Sequence, residues 1–131
     1  MKTNELRLGN YILGCKVTEI CPDGVFAERR HTYNLPKLVF IKEDDIEPIE
    51  LTEEVLLKIG FKKDGNNYSL VCGDIEVGYY IDKFKQVLYI NVSREKRFYK
   101  NELRSYDVKH LHQLQNAYYL LTNEELEVEL W

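Results

Sequence analysis

The stretch from Leu51 to Phe61 constrains the chain more than any other. Thr52 is a strong helix N-cap, because its hydroxyl accepts a hydrogen bond from a backbone N–H that has no helical partner. Glu53 and Glu54 follow at the end of a helix that favours negative charge. Leu51 and Leu56 stand at the spacing of a hydrophobic staple. Gly60 then suits the left-handed position after a last turn, with Phe61 placed to cover Leu56. These signals predict one short helix over 53–59, and they divide the chain into two stretches of different character.

Before this helix the residues read as short strands. Glu5-Leu6-Arg7-Leu8 alternates, Gly9-Asn10 breaks the run, and Tyr11-Ile12-Leu13 followed by Val17 to Ile20 resumes it. Cys21-Pro22-Asp23-Gly24 is a turn signal, since proline presets φ and glycine accepts positive φ. Val25-Phe26-Ala27, Leu38-Val39-Phe40-Ile41 and Ile46-Glu47-Pro48-Ile49 are the remaining strand candidates, with Pro48 suited to an edge. The polar segment from Glu28 to Pro36 reads as the longest loop. Five short strands in about fifty residues suggest a small SH3-like β-barrel over 1–50.

After the helix the pattern is an antiparallel meander. Tyr68–Cys72, Ile75–Ile81 and Val87–Val92 are rich in β-branched and aromatic residues, and Arg97-Phe98-Tyr99 suggests a short fourth strand. Val108, Leu111, Leu114, Tyr118 and Leu121 recur at helical spacing, which predicts a second helix over 108–121 capped by Asp107. Thr122 to Glu125 has capping-box chemistry for one last turn, and Leu126, Val128 and Leu130 alternate as a terminal half-buried strand would. The fold expected is α+β: the barrel of 1–50 packed as one compact unit on a helix–meander–helix–strand subdomain over 51–131. No low-complexity tract or linker separates the two.

Composition excludes several functional classes. Eighteen Lys and Arg against 22 Asp and Glu give a net charge of −4, and the chain is 44% apolar, as a folded globular domain is. No apolar run approaches the ~18 residues that a membrane helix needs. The first residues, Met1 to Arg7, are charged and have no apolar core, so no secretory signal is read there. Three cysteines, Cys15, Cys21 and Cys72, form no CxxC and fit free, mostly buried thiols in a reducing compartment. The expectation is a cytoplasmic protein with no membrane partner.

Catalytic signatures do not emerge. His110 and His112 are two apart on the expected helix, about 200° around its axis, and do not match the i, i+4 spacing of a metal pair. There is no GxSxG elbow, no GxxxxGK[ST] and no GxGxxG. Glu43-Asp44-Asp45 reads as a solvated acidic loop rather than a pocket that would split two carboxyl pKa values. No catalytic residue, metal ligand or cofactor is assigned, and no enzyme is indicated.

Charge patterning says more. Residues 43–54 hold seven acids and no base, whereas 83–109 hold eight bases and three acids, a local net of +5. Such local fields steer partners even when the net charge is small. Within the basic stretch, two aromatics sit among bases, as in grooves that stack single-stranded nucleic acid. Arg94, Lys96, Arg97, Tyr99, Lys100 and Arg104 are therefore the candidate partner-binding or nucleic-acid-binding residues. The plainer reading makes Phe98 and Tyr99 a strand's share of the core, and the low pI of about 5.4 favours it. Tyr79, Tyr80, Tyr89, Tyr99 and Tyr106 suggest a tyrosine-rich face for a protein partner, tyrosine being enriched at interfaces, although strands also favour it.

Two stretches carry a resemblance. Glu5-Leu6-Arg7-Leu8-Gly9-Asn10 and the run from His112 to Leu126, with Ile46-Glu47-Pro48-Ile49-Glu50-Leu51-Thr52 between them, match an ELRxGN opening, an IxPIxLT junction and an HxLQNxYxxLTxEEL close. The chain thus resembles a group of small uncharacterised proteins of Bacteroides-type gut bacteria and their prophages. It departs from their pattern at Asn123, where glycine is common. The resemblance brings no activity or site residue and implies a phage or mobile-element setting. Independently of it, Gln113, Gln115 and Asn116 carry amides suited to satisfying backbone groups of an adjacent loop or the barrel, and so to fixing how the two subdomains dock, a structural role preferred to ligand binding. The functional expectation is a non-enzymatic accessory or adaptor protein that binds a protein partner or itself, with a nucleic-acid-binding module as the alternative.

Overall fold

Turn chemistry and alternation build two antiparallel sheets. The computed structural model describes residues 1–31, 34–94, 97–103 and 108–128, with the backbone alone at 30–31, 34–36, 90–94 and 97–103. The chain divides into two units. One holds Met1–Glu50 together with His110–Ala117, and the other holds Leu51–Lys109 and the stretch that begins at Tyr118.

In the first unit, strands β1 (Tyr11–Ile12), β2 (Cys15–Cys21), β3 (Gly24–His31) and β4 (Asn34–Lys42) pair in chain order. Alternation sets the two faces: Val25 and Ala27 are fully buried, and they stand opposite Ile41 and Val39. Leu6, Ile12, Cys15, Val17 and Ile46 complete this core. Burying each such aliphatic side chain stabilises by about 1.5–3 kcal/mol.

Several expectations need correction here. No pairing among the described residues joins β1 to β4, so the sheet is an open meander, not a closed SH3-like barrel. Residues 5–8 form no strand; a 3-10 turn over Thr3–Glu5 instead delivers Leu6 to the core. The polar segment 28–36 is not one long loop, because β3 and β4 run through it with Glu28 opposite Leu38 and His31 opposite Asn34. Pro36 is tolerated because β4 is an edge strand. Residues 46–49 make no strand either: a 3-10 turn covers Glu43–Asp45, and only Glu50 bridges, to His110.

In the second unit, helix α1 (Glu53–Lys58) forms as expected. Thr52 Oγ1 accepts from Val55 N at 3.3 Å, and Leu51 and Leu56 are both buried. Gly60, at φ +100°, lets Gly60 N donate to Leu57 O and Phe61 N to Leu56 O, which closes a Schellman cap. A five-stranded meander follows: β5 (Lys62–Asp64), β6 (Asn67–Cys72), β7 (Ile75–Ile81), β8 (Gln86–Arg94) and β9 (Arg97–Leu103). Gly78 faces Tyr89 across β7 and β8. A Cβ at position 78 would lie 2.0 Å from the Tyr89 ring, so only glycine admits the ring there.

Helix α2 (Leu111–Thr122) starts later than its apolar stripe suggests. Leu111, Leu114 and Tyr118 are buried on it, whereas Val108 is buried ahead of it, and Asp107 lies outside the described residues. The helix ends at Asn123, which takes φ +58°. Asparagine is among the few residues other than glycine that adopt this conformation readily. No helical turn follows, because Thr122 Oγ1 turns back to donate to Tyr118 O and accept from Glu124 N. Leu126 and Val128 are buried as their alternation implies, but residues 124–128 form no strand.

Candidate partner-binding site

Strands β7 and β8 pair up to Ile81 opposite Gln86, so residues 82–85 alone close their hairpin. The tip is organised by one carboxylate. Asp82 Oδ1 accepts from Phe84 N at 2.7 Å and from Lys85 N at 2.8 Å, and Oδ2 accepts from the Tyr80 hydroxyl at 2.6 Å. Asp82 N in turn donates to Lys85 O at 3.0 Å. This is the local bonding by which aspartate replaces a backbone turn. The Tyr80 hydroxyl, then the Phe84 N–H, hold the Asp82 carboxyl below its ordinary range, and the same carboxylate pushes the Tyr80 phenol up.

The turn presents Phe84 with 93% of its surface exposed, more than any other large apolar side chain described. Lys83 and Lys85 flank it, and the Lys85 ammonium lies 5.2 Å from the centre of the Tyr80 ring, within cation–π range. Lys109 joins this tip along a shallow hollow of about 280 Å³. Three lysines against one aspartate leave a net of +2. The tip is therefore an exposed aromatic side chain on a fixed turn, in a cationic collar.

The residues expected to bind lie elsewhere. Arg94 stands opposite Arg97, Val92 opposite Tyr99, and Asn91 opposite Lys100, at the far end of β8 and β9. Eight residue steps along β8 put that end about 26 Å from the Phe84 tip. For Arg94, Arg97, Tyr99 and Lys100 the description is of the backbone, and Lys96 and Arg104 lie outside the described residues. The basic stretch of 83–109 thus contributes its two ends, Lys83 with Lys85 and Lys109, to one place. The signal that could have found it is Asp82 two residues ahead of Phe84, an aspartate turn with an apolar residue at its apex.

The tyrosine-rich face also needs correction. Tyr79 is fully buried, with its hydroxyl donating to Val108 O, and burial pushes its phenol far up. Tyr89 is buried over Gly78 and donates to Asn67 Oδ1 at 3.3 Å. Both belong to the second unit's interior. Tyr106 lies outside the described residues.

The opening and closing motifs meet within the first unit. Gln115 Oε1 accepts from Tyr11 N at 2.8 Å, and Gln115 Nε2 donates to Gly9 O at 3.2 Å. Asn116 Oδ1 accepts from Arg7 Nε at 3.1 Å and from Asn10 Nδ2 at 2.8 Å, while Asn10 Oδ1 accepts from Arg7 N. Gln113 Oε1 accepts from His110 N at 3.1 Å, ahead of the first turn of α2. These amides satisfy buried or partly buried donors and acceptors, as their chemistry suggests, and the bonds lie within the first unit.

The two histidines correct a geometric expectation. His110 precedes the helix, so the rings are not on opposite sides; they stack 5.8 Å apart at 13°. His112 is 99% buried, with no hydrogen-bond partner for either ring nitrogen among the described residues. Burial, reinforced by the neighbouring His110 and opposed by Glu5, lowers its pKa to about 4. Among the described residues no three His, Cys, Asp or Glu side chains converge to hold a metal ion. Cys15 is buried, whereas Cys21 and Cys72 are only partly so, and Cys72 Sγ donates to Glu124 Oε2 at 3.2 Å. No described helix is long and apolar enough to cross a membrane. No protein-family model, no curated protein and no solved structure matches the chain.

Proposed function

We propose that the chain is a cytoplasmic, non-enzymatic accessory protein of the phage or mobile-element type that binds an acidic protein partner through the Asp82–Lys85 tip. The observation that carries this reading is Phe84: a phenyl ring 93% exposed on a turn whose shape one carboxylate fixes with three accepted hydrogen bonds. An aromatic side chain on a preorganised turn loses little further entropy on binding, which is what an interface anchor requires. Lys83, Lys85 and Lys109 set the sign of the surface that it meets. The resemblance to prophage-carried proteins supports an accessory role.

Nucleic acid is the second reading, favoured by the same interleaving of ring and lysine, which is how single strands are held. A photo-reactive phenylalanine analogue at position 84 tests the first reading in cells. It is expected to crosslink to one discrete protein, and the crosslink is expected to vanish when Lys83 and Lys85 become Glu. Titration with a short single strand and a short duplex at low and physiological salt tests the second. Binding that falls steeply with salt and is lost in Phe84→Ser would put nucleic acid first. Neither crosslink nor titration signal would overturn both.

A further inference from the structure

A second surface hollow lies on the first unit, and the net charge of its lining is opposite in sign to that of the Phe84 tip. It measures about 290 Å³ and is lined by Leu13, Arg29, Phe40, Ile41, Asp45 and Glu47. Leu13 and Phe40 leave 59% and 42% of their surfaces in water and supply its apolar wall, beside the charged groups of Arg29, Asp45 and Glu47 that make most of its lining polar. Two acids against one arginine give its lining a net of −1. Its volume lies just under the range of small-molecule pockets but is ample for one aromatic ring, since a cavity of about 150 Å³ holds benzene.

We propose that the acidic partner of the Phe84 tip is this hollow on a second copy of the chain. This rests on the reading of the tip as a binding anchor and names its occupant. Phe84 fills the hollow between Leu13 and Phe40, while Lys83 and Lys85 meet Asp45 and Glu47. The two surfaces match in three properties: a protruding ring against a hollow walled in part by Leu13 and Phe40, a net of +2 against −1, and room for one ring. Each copy carries one tip and one hollow, so the contact is heterologous and head-to-tail, and it propagates to short oligomers or closes into a ring. Its small footprint makes it a transient association, set by concentration and weakened by salt.

The experiment is sedimentation velocity of the full chain across a concentration series at low and high salt, with two variants. The tip variant is Phe84→Ser with Lys83→Glu, and the hollow variant is Asp45→Lys with Glu47→Lys; both alter exposed side chains and are checked for folding by circular dichroism. Wild type is expected to shift to larger species with concentration, and each variant to weaken this at least tenfold. Mixing the two variants is expected to yield a capped 1:1 dimer, because each retains the surface that the other lacks. A wild-type chain that stays monomeric at every concentration, or an assembly indifferent to both variants, would overturn the proposal. So would variants that fail to complement on mixing. A crosslink from position 84 to a different protein, with the chain itself monomeric, would remove self-association while leaving the partner reading in place.

Discussion

The first unit is tied together by amides that reach across the sequence, the second by a meander whose neighbours in space are neighbours in the chain. Gln115 bonds to Tyr11 and Gly9, and Asn116 to Arg7 and Asn10, each more than a hundred residues away. In the second unit, β5 to β9 pair strictly in order, and its buried polar groups are tyrosine hydroxyls. The difference teaches where each unit is vulnerable. A buried amide that satisfies backbone groups on both of its atoms leaves two partners stranded when it is lost, whereas a terminal hydroxyl leaves one.

Breaking the long-range amide should therefore cost most. Gln115→Ala is expected to destabilise by about 4 kcal/mol, since it strands Tyr11 N and Gly9 O and opens a void. Urea unfolding measures it, and a loss below about 1 kcal/mol would remove the distinction between the units. The next largest effect is pH-dependent and belongs to His112. Its folded pKa of about 4 lies below its unfolded value of 6.5, so the unfolded chain takes up the proton first. Stability present above pH 6.5 is then lost as pH falls toward 4, on the order of 3 kcal/mol in all. His112→Leu should flatten this slope; an unchanged slope would assign it to other groups.

In the second unit the expected losses are smaller. Tyr79→Phe keeps the buried ring and strands only Val108 O, at about 1.5 kcal/mol, read by the same unfolding curve. Thr52→Ala removes one cap hydrogen bond from α1 and should cost about 1 kcal/mol, with Thr52→Ser restoring most of it. A Tyr79→Phe loss equal to that of Gln115→Ala would mean that both units depend alike on their buried polar groups.

Legibility followed how local the causes were. The α1 signals, from the Thr52 cap to the Gly60 exit, all lie within one turn of the helix and were readable. Strands β6, β7 and β8 were readable too, because turn residues and alternation are properties of adjacent positions, whereas β5, exposed throughout, and the far half of β9 carry no such pattern. What escaped depends on pairing at a distance. Pro36 and the charges of 28–36 look like a loop until β4 is known to be an edge strand. Tyr79 and Tyr89 look like an interface until Gly78 is seen to admit a ring from the neighbouring strand. The amides of 113–116 were legible as to role, though their partners near the N-terminus were not. The Phe84 tip was overlooked because density of charge pointed to 94–104, while the local clue was a single aspartate two residues before the apex.

The split of the first unit between residues 1–50 and 110–117 also sets a timetable for the protein's birth. Chains emerge from the ribosome N-terminus first, at about 5–20 residues per second. The loop around Gly9 to Tyr11 therefore waits about 5–20 seconds for Gln115 to be made, while the second unit's entire meander is synthesised in between. During that interval Tyr11 N and Gly9 O lack the side-chain partner that they have in the folded chain. The loop around Gly9 to Tyr11 is thus made long before the amide that satisfies it.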